Sequence, residues 1–354
     1  MKGRPFCQRL ERVFAETPLV HASRTDRFLI VSDLHLGDGG SHDDFRPNAE
    51  IFRTVLERFY LPRGYRLILN GDIEELQRFP MERIVRRWQP IYRLFEAFAA
   101  QNGLYRIVGN HDRTLASLAA PPGGAKAFPA LKLEFDRNII FIFHGHQATL
   151  LMDRFNLLCG LVLRYIANPI GIKNYARSHR SKVRFQTERR VYGFSRDRKI
   201  VSLIGHTHRP LFESLSPLDA LQFKIEQLCR EYARSGRNAQ GQLAGAIRAC
   251  QSELSYWLTM NRAEASRGSL YNRDLLVPCL FNTGAVIGKQ GFTALEIDRG
   301  LINLAQWTEP QKSPAAAGAG WRRPAEPLEG SDYCRIVLKQ EQLDYIFARI
   351  KLLA

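Results

Sequence analysis

Short apolar runs recur along the chain, and each of them stops at a cluster of polar residues. The runs occupy residues 28–31, 67–69, 105–108, 139–143 and 201–204. Runs of this length that end in polar side chains predict buried strands whose carboxyl ends open into a cleft. Amphipathic segments separate the first of these strands, so the alternation predicts a layered α/β domain.

The polar clusters after these strands are all rich in Asp, Asn or His. They read Ser32-Asp33-Leu34-His35, Gly71-Asp72-Ile73-Glu74-Glu75, Gly109-Asn110-His111-Asp112, His144-Gly145-His146 and Gly205-His206-Thr207-His208. In open α/β sheets, ligands bind beyond the carboxyl ends of the strands. Carboxylate, amide and imidazole groups brought to one place in this way predict a site for two divalent metal ions.

Helical periodicity replaces the strand pattern after the fifth cluster. Residues 218–233 and 242–260 predict a helical hairpin inserted between about 213 and 276. Strands are predicted again at 276–282, 292–297 and 301–305. The turn signal Asp298-Arg299-Gly300 predicts that the last two of these form a β-hairpin. The insertion therefore interrupts one domain instead of separating two.

Composition indicates the cellular compartment of the protein but does not indicate a reaction. The chain has 354 residues and six cysteines without C-x-x-C spacing, which argues against a disulfide framework and favours a reducing compartment. Charged residues break up the first 26 residues before an apolar core of signal-peptide length can form. No run of about 18 apolar residues is present, so no membrane span is predicted. These features predict a cytoplasmic protein.

The net charge of +16 predicts an acidic partner, such as a phosphorylated substrate, an anionic membrane surface or nucleic acid. Basic residues concentrate between residues 164 and 199, where Glu188 and Asp197 are the acidic residues. An apolar segment at 155–167 precedes and overlaps them, a combination typical of elements that lie in a membrane interface. The alternative is a core helix followed by a solvated basic helix.

The five clusters resemble the motifs of the calcineurin-like metallophosphoesterase superfamily. The family pattern is D-x-H, G-D-x-x-[DE], G-N-H-[DE], a His-Gly motif and G-H-x-H, and all five occur here in that order between Asp33 and His208. The resemblance implies a four-layer α/β/β/α sandwich with helical insertions. It also implies a metal-dependent phosphoric ester hydrolase that attacks phosphorus with a metal-bridged hydroxide.

By this resemblance, two divalent ions share the carboxylate of Asp72. The first ion would also bind Asp33, His35 and His208, and the second Asn110, His144 and His206. Such a mixture of ligands suits Mn²⁺ foremost, with Fe, Zn or Co as alternatives. The resemblance assigns the catalytic roles to two neighbouring residues. His111 would reach the phosphate and protonate the leaving oxygen or stabilise its charge, and Asp112 would orient the His111 ring.

Further residues near the clusters are candidates for contacts with the substrate. Arg78 and Arg113 could bind phosphate. His146 would either support the ligand His144 or face the substrate. The alternative for Glu74, Arg78 and Arg113 is a solvated charge on a helix face. Glu75 completes the second cluster and is expected to be structural.

The resemblance divides the chain into a domain with insertions and flanking segments. A leader with one helix is predicted at 1–26, and a metallophosphoesterase domain at 27–308. Two insertions interrupt the domain, an apolar and basic helical one at about 149–199 and the helical hairpin at about 213–276. A Pro/Ala/Gly-rich linker is predicted at 309–331, and a C-terminal tail with a strand and a helix at 332–354.

Three functional hypotheses follow. The His-Gly-His cluster, with the apolar and basic insertion after it, resembles the UDP-2,3-diacylglucosamine hydrolases, which implies a lipid-linked or nucleotide-sugar substrate. The chain departs from that branch at His111, where the branch often has Arg. A nuclease or cyclic-nucleotide phosphodiesterase is the second hypothesis, which the basic charge favours but no nucleic-acid module accompanies. The third is an interaction scaffold built on the same fold.

Overall fold

The computed structural model describes residues 5–101, 103–119, 121–149, 181–215, 217–234, 237–260, 277–288, 291–312 and 324–354. Most of the apolar and basic insertion predicted at 149–199 lies outside the described residues. The same holds for the end of the helical hairpin insertion and for the centre of the predicted linker.

The described residues form strands and helices in mixed order. The strands are β1 Leu19–His21, β2 Arg27–Val31, β3 Arg66–Asn70, β4 Leu104–Ile107, β5 Ala127–Phe128, β6 Ala130–Phe135, β7 Asn138–Phe143, β8 Val201–Ile204, β9 Leu280–Asn282, β10 Phe292–Asp298, β11 Leu301–Thr308, β12 Ala325–Pro327 and β13 Cys334–Gln342. The α-helices are α1 Pro5–Glu16, α2 Ala49–Val55, α3 Met81–Arg87, α4 Gln89–Ala100, α5 Ser181–Arg198, α6 Pro217–Arg234, α7 Arg237–Met260 and α8 Leu343–Leu353.

The strands form two sheets within the described parts of the chain. One has the order β12-β13-β11-β10-β2-β3-β4-β5, and the other has the order β1-β6-β7-β8-β9. Parallel neighbours β2, β3 and β4 carry the first three polar clusters at their carboxyl ends, and parallel β7 and β8 carry the last two. The site predicted at five strand ends therefore lies where the ends of two sheets meet.

Alternating side chains bury both faces of the first sheet, which explains its apolar runs. Phe28 and Ile30 of β2 face the second sheet, whereas Leu29 and Val31 pack against the helical side that includes Phe52 of α2. Burial of each such side chain contributes about 1.5–3 kcal/mol to folding.

The second sheet is covered by helices on its outer side. The ring of Phe141 in β7 lies 5.1 Å from that of Phe14 in α1 and 6.1 Å from that of Phe194 in α5. With α2 and α4 on the outer side of the first sheet, the order of layers is helix, sheet, sheet, helix. The predicted four-layer α/β/β/α architecture is confirmed.

Both terminal segments pack against the two sheets, while the division of the chain into leader, domain, linker and tail stays a prediction. The predicted N-terminal helix is present as α1, and it buries Phe6 and Leu10 in the core beside the second sheet. β1 extends that sheet by parallel pairing with β6. At the other end of the chain, β13 pairs with β11 along its whole length.

The helical hairpin and the late β-hairpin follow the sequence pattern. α6 and α7 occupy the predicted insertion, and β10 and β11 are joined at Arg299 and Gly300, whose φ angles are 51° and 80°. Two consecutive positive φ angles define the type I′ turn that suits the twist of a two-residue hairpin. Among the described helices, none is both long and apolar enough to span a bilayer.

Candidate metal centre

The two sheets bring the predicted ligands together at their carboxyl ends. The first sheet contributes the residues after β2, β3 and β4, and the second contributes those after β7 and β8. Seven predicted ligands are buried or nearly so: Asp33, His35, Asp72, Asn110, His144, His206 and His208. Burial of so many carboxylates and imidazoles is costly unless they are paired or hold a cation.

The backbone at these positions is unusual. Five of the ligand candidates have left-handed φ angles, namely Asp33 at 55°, His35 at 50°, Asp72 at 52°, His206 at 63° and His208 at 54°. Residues with side chains rarely adopt this conformation, and such outliers concentrate at functional sites. Here it turns the chain abruptly at the end of each strand, which directs alternate side chains into the same cleft.

One group of ligand atoms comes from Asp33, His35 and His208, whose donor atoms all lie within 4.8 Å of one another. Nε2 of His208 is 3.0 Å from Oδ1 of Asp33. The Nε2 atoms of His35 and His208 are 3.4 Å apart. Two imidazole nitrogens and a carboxylate oxygen that converge in this way suit a divalent transition-metal ion.

A second group comes from Asp72, His144 and His206. Nε2 of His144 lies 3.1 Å from Oδ2 of Asp72 and 3.9 Å from Oδ1 of Asp33, so this group adjoins the first. Nδ1 of His144 lies 2.9 Å from the carbonyl oxygen of Asn70. A hydrogen bond from that Nδ1 leaves Nε2 as the lone-pair nitrogen.

A buried oxygen without a partner supports a cation at this position. Oδ1 of Asn110 is buried, and it has no hydrogen-bond partner among the described residues. Buried polar atoms are nearly always hydrogen-bonded, so exceptions call for an ion or another ligand. The residues present therefore fit a metal ion.

Two glycines leave room for this arrangement. A Cβ atom at Gly109 would lie 2.1 Å from Oδ1 of Asp72, and one at Gly71 would lie 2.6 Å from Nδ1 of His144. Gly71 also has a φ angle of 82°, which disfavours any side chain. Only glycine lets these two strand ends approach the ligands so closely.

The electrostatics of the centre keep its carboxylates ionised. Burial acts against the charge of Asp72, yet His144 and His111 bring the pKa of that carboxyl well below its ordinary value. Burial also disfavours a charged His144, but Asp72 and Asp33 raise the pKa of His144 to about 9. For His206, burial and the neighbouring His144 lower the pKa to about 3. A cation that binds here would displace the proton from His144.

Glu75 holds the predicted catalytic histidine. Its Oε1 is 2.7 Å from Nδ1 of His111, and its Oε2 is 3.0 Å from Nδ1 of His35. Burial opposes a charge on His111, but Glu75 and Asp72 raise the pKa of its imidazole to about 10. The expectation that Glu75 is merely structural is therefore too narrow. The carboxylate of Glu75 in the second cluster was the sequence signal that could have suggested a partner for the His111 ring.

The predicted role of Asp112 needs correction. Its Oδ1 accepts the backbone N–H of Gly109 at 2.6 Å, and its Oδ2 accepts that of Ile73 at 2.7 Å. These bonds connect the third cluster to the end of β3, whereas Glu75 binds the His111 ring. Burial, with Asp72 and Glu74 nearby, raises the pKa of Asp112 to about 7. Asp112 shapes the loop that carries Asn110 and His111.

Comparison with known proteins agrees with this geometry. A family model for calcineurin-like phosphoesterases matches residues 26–210, which contain all five clusters. The chain belongs to the calcineurin-like phosphoesterase family. It is a metal-dependent phosphoric ester hydrolase.

A solved structure from Streptococcus pneumoniae TIGR4, described as a conserved uncharacterized protein and predicted phosphoesterase, is similar over 80% of this chain and 89% of its own. The two sequences are 13% identical, and the TM-score is 0.30. No curated protein matches the sequence.

Glu74 and Arg78 of this phosphoesterase, for which a solvated charge on a helix face was the alternative prediction, are both buried. Glu74 is 0% exposed and forms an ion pair with the guanidinium of Arg106, while the hydroxyl of Tyr92 donates to its Oε1 at 2.9 Å. Arg78 is 5% exposed, and its Nη1 lies 3.5 Å from the carbonyl oxygen of His42. The solvated alternative is wrong for both residues.

The remaining substrate candidates lie beside the metal centre. The ring of His146 is buried, with its centroid 5.6 Å from that of His144 and 6.4 Å from that of His206. Arg113 is half-buried and begins the short 3₁₀ helix that follows the third cluster. Contacts of His146, Arg113 and Arg78 with a substrate remain predictions.

Sequence reasoning missed the buried contacts behind the fifth cluster. Glu188 of α5 accepts the hydroxyl of Thr207 at 2.8 Å, and the Asn282 amide donates to the same hydroxyl, also at 2.8 Å. The Asn282 amide also donates to the Gly205 carbonyl at 3.0 Å. These bonds fix the loop that carries His206 and His208. Their members are far apart in the sequence, so no local pattern could have joined them.

Proposed function

We propose that this phosphoesterase holds two divalent metal ions and hydrolyses a phosphoester or pyrophosphate bond of a lipid-linked or nucleotide-sugar substrate. The observation that carries the proposal is the presence of two adjoining ligand groups, Asp33-His35-His208 and Asp72-His144-His206. Each has the carboxylate and imidazole donors that a first-row transition metal prefers, and Mn²⁺ is the proposed ion.

In this proposal Asp72 is the shared ligand, and Asn110 completes the second group. The carboxylate of Asp72 belongs to the second group, with Oδ2 3.1 Å from Nε2 of His144 and Oδ1 accepting the backbone N–H of His111 at 2.8 Å. The buried amide oxygen of Asn110 supplies a neutral donor. When bound, a pair of divalent ions lowers the pKa of a coordinated water and neutralises the oxygens of the phosphate.

His111 is the proposed proton donor to the leaving oxygen. Glu75 occupies its Nδ1, so the ring can present Nε2 to the cleft. In the metal-free protein, Glu75 and Asp72 raise the pKa of this imidazole to about 10 against the effect of burial, which favours the protonated form that an acid requires. Nε2 is 3.9 Å from Oδ2 of Asp72, which puts this proton close to the proposed metal pair.

The proposed substrate class rests on charge and on the resemblance to UDP-2,3-diacylglucosamine hydrolases. A net charge of +16 attracts a phosphorylated or lipid-linked substrate and an anionic membrane surface. Basic residues of α5, such as Arg189 and Arg198, are exposed and could contribute to that attraction.

A nuclease or cyclic-nucleotide phosphodiesterase is the second candidate, and the same positive charge favours it. A purely non-enzymatic scaffold is less well supported, because the chain keeps every ligand position of the family motifs together with His111.

A panel of substrates tests the proposal. The protein is loaded with Mn²⁺ and assayed on an aryl phosphomonoester, the matching diester, a UDP-sugar with and without acyl chains, and single-stranded DNA. Preferential cleavage of the acylated UDP-sugar is the expected result. Cleavage of DNA or simple diesters alone would favour the second candidate, and no metal-dependent cleavage at all would refute the enzymatic proposal.

A further inference from the structure

The last strand of the second sheet ends beside the first polar cluster. β9 is followed by Thr283, whose hydroxyl oxygen lies 2.6 Å from that of Ser32 at the end of β2. Thr283 lies outside residues 26–210, the part of the chain that the family model matches. The contact therefore brings a residue from beyond the five clusters next to the metal centre.

The Ser32 hydroxyl in turn donates to Oδ2 of Asp33, a proposed metal ligand. The backbone N–H of His206 donates to the same oxygen at 3.0 Å. The other oxygen, Oδ1, lies 3.0 Å from Nε2 of His208 and 3.9 Å from Nε2 of His35. Two donors thus hold Oδ2, and Oδ1 is the oxygen turned towards the other ligands of the first group.

The direction of these hydrogen bonds follows from the groups that form them. An ionised carboxylate only accepts hydrogen bonds, so the single proton of the Ser32 hydroxyl points to Asp33. The proton between the two hydroxyls must then come from Thr283. Other acceptors are more distant, since the Gly284 carbonyl is 3.3 Å from Oγ of Ser32 and 3.4 Å from Oγ1 of Thr283. Thr283 therefore donates to Ser32, and Ser32 donates to Asp33.

This chain of hydroxyls is closed off from solvent. Ser32 and Thr283 are each 1% exposed, and Asp33 is 0% exposed. A Cβ atom at Gly205 would lie 2.6 Å from Oδ2 of Asp33, so glycine lets the fifth cluster pack directly against the held oxygen. Removal of either hydroxyl would leave a buried polar atom without its partner.

The backbone around Thr283 is fixed by both sheets. Its N–H donates to the carbonyl of Ile204 in β8 at 3.1 Å, and its carbonyl accepts the hydroxyl of Thr293 in β10 at 2.7 Å. Oδ1 of Asn282 accepts the N–H of Gly284 at 2.9 Å, which holds the turn that follows. The first donor of the chain therefore has a defined position before any ion binds.

We propose that Thr283 and Ser32 are positioning residues that restrict Asp33 to binding a metal ion through Oδ1 alone. A carboxylate can bind a divalent ion through one oxygen or through both. With Oδ2 held by Ser32 and by the backbone of the fifth cluster, the carboxylate is oriented in advance, which raises its affinity for the ion. The inference rests on the proposed function, in which Asp33 is a ligand, and extends the metal centre to a residue outside the family motifs.

The test removes each hydroxyl and measures Mn²⁺ binding to the metal-free protein by calorimetry. Thr283→Val replaces the hydroxyl with a methyl group of similar size, Thr283→Ser keeps the hydroxyl, and Ser32→Ala removes the second donor. The matched control is Thr54→Val, which removes another buried hydroxyl, one that lies 3.5 Å from Oε1 of Glu50 on α2. Urea denaturation without metal separates a loss of folding from a loss of metal affinity.

Ser32→Ala should bind the ion of the first ligand group about 10- to 100-fold more weakly, as is typical when a group that orients a ligand is lost. Thr283→Val should weaken binding by about tenfold, at the lower end of that range, because it acts through Ser32. Thr283→Ser and Thr54→Val should bind Mn²⁺ as the wild-type protein does. The double variant Ser32→Ala/Thr283→Val should bind no more weakly than Ser32→Ala, because the two hydroxyls act as one unit.

Unchanged Mn²⁺ affinity in Ser32→Ala or in Thr283→Val would overturn the inference. So would equal losses in Thr283→Ser and Thr283→Val, or additive losses in the double variant, because the hydroxyls would then not act in series. If Thr283→Val does not fold, the affinity of Ser32→Ala decides by itself.

The inference and the proposed function can fail separately. Wild-type protein that binds Mn²⁺ and cleaves a phosphate ester, with variants that bind Mn²⁺ equally well, would overturn the inference alone. If no phosphate ester is cleaved but Mn²⁺ affinity follows the two hydroxyls, the proposed hydrolysis fails and the inference stands. Wild-type protein that binds no Mn²⁺ would overturn both.

Discussion

Oε1 of Glu75 lies 2.7 Å from Nδ1 of His111, so the second cluster of the sequence holds the ring contributed by the third. The other oxygen of Glu75 is bonded to Nδ1 of His35, a proposed metal ligand. One carboxylate thereby orients a ligand and the proposed acid together, and both rings keep Nε2 available to the cleft. This arrangement makes Glu75 a positioning residue with measurable effects on stability and rate.

The Glu75→Gln variant should change the pH dependence of stability in the metal-free protein. The pKa of His111 is raised from 6.5 to about 10, so its contribution is complete below pH 6.5 and is lost as the pH rises through about 10. The pKa of Glu75 is lowered from 4.5 to about 2, so its contribution is present above pH 4.5 and is lost as the pH falls through about 2.

The loss of stability in Glu75→Gln should therefore be greatest between pH 4.5 and 6.5 and should shrink towards pH 10. A loss of about 1.5–3 kcal/mol is expected for a hydrogen bond between charged groups. Urea denaturation at several pH values measures it, with the exposed Glu50→Gln as a control. A difference that stays constant up to pH 10 would contradict the assignment.

His111→Ala should retain both proposed metal ions and lose rate. Removing a general acid typically lowers kcat by about 10²–10⁴-fold. Metal content by mass spectrometry and Mn²⁺-dependent hydrolysis of an aryl phosphomonoester separate the two effects. Loss of metal from this variant would show that His111 is a ligand.

Asp72→Ala should lose metal and activity together, because its carboxylate is the proposed shared ligand. Losing several kcal/mol of charge stabilisation in the transition state lowers the rate by about a thousandfold or more. Treatment of the wild-type protein with a chelator should have the same effect and be reversed by Mn²⁺. Full turnover by Asp72→Ala with two ions still bound would refute the dinuclear proposal.

Arg106→Met should destabilise the fold strongly, because it leaves Glu74 buried without its cation. The expected cost is about 3–5 kcal/mol. The control is Arg53→Met, since Arg53 pairs with Glu50 and Glu57 on the surface, where such pairs contribute about 1 kcal/mol or less. Equal effects of the two variants on the urea midpoint would count against the buried pair.

The basic segment at 155–199, of which α5 is described, is predicted to bind anionic vesicles in a salt-sensitive way. Co-sedimentation with anionic and neutral vesicles at low and high ionic strength measures this. Arg189→Glu changes the charge by two units at about 1 kcal/mol each and should weaken binding about thirtyfold. Arg93→Glu on α4 serves as the control. Equal, salt-independent binding to neutral vesicles would refute the electrostatic attraction.

Features with local causes were predictable from the sequence. The strands that precede Asp33, Asp72 and His144 are predictable because an apolar run and the polar residues that end it are consecutive in the sequence. The hairpin at Arg299-Gly300 is predictable because turn chemistry involves only the residues of the turn. The family motifs then grouped the ligand candidates, since their order along the chain is itself a sequence property.

Only the tertiary structure decided which distant residues meet. The contact of Glu75 with His111, the pair of Arg106 with Glu74, and the burial of Phe6 by the second sheet all depend on how strands from two sheets and a terminal helix pack. Such contacts are selected by burial and by the need to compensate charge in the interior. No periodicity in the sequence records them, because the partners come from separate elements that meet only when the layers close.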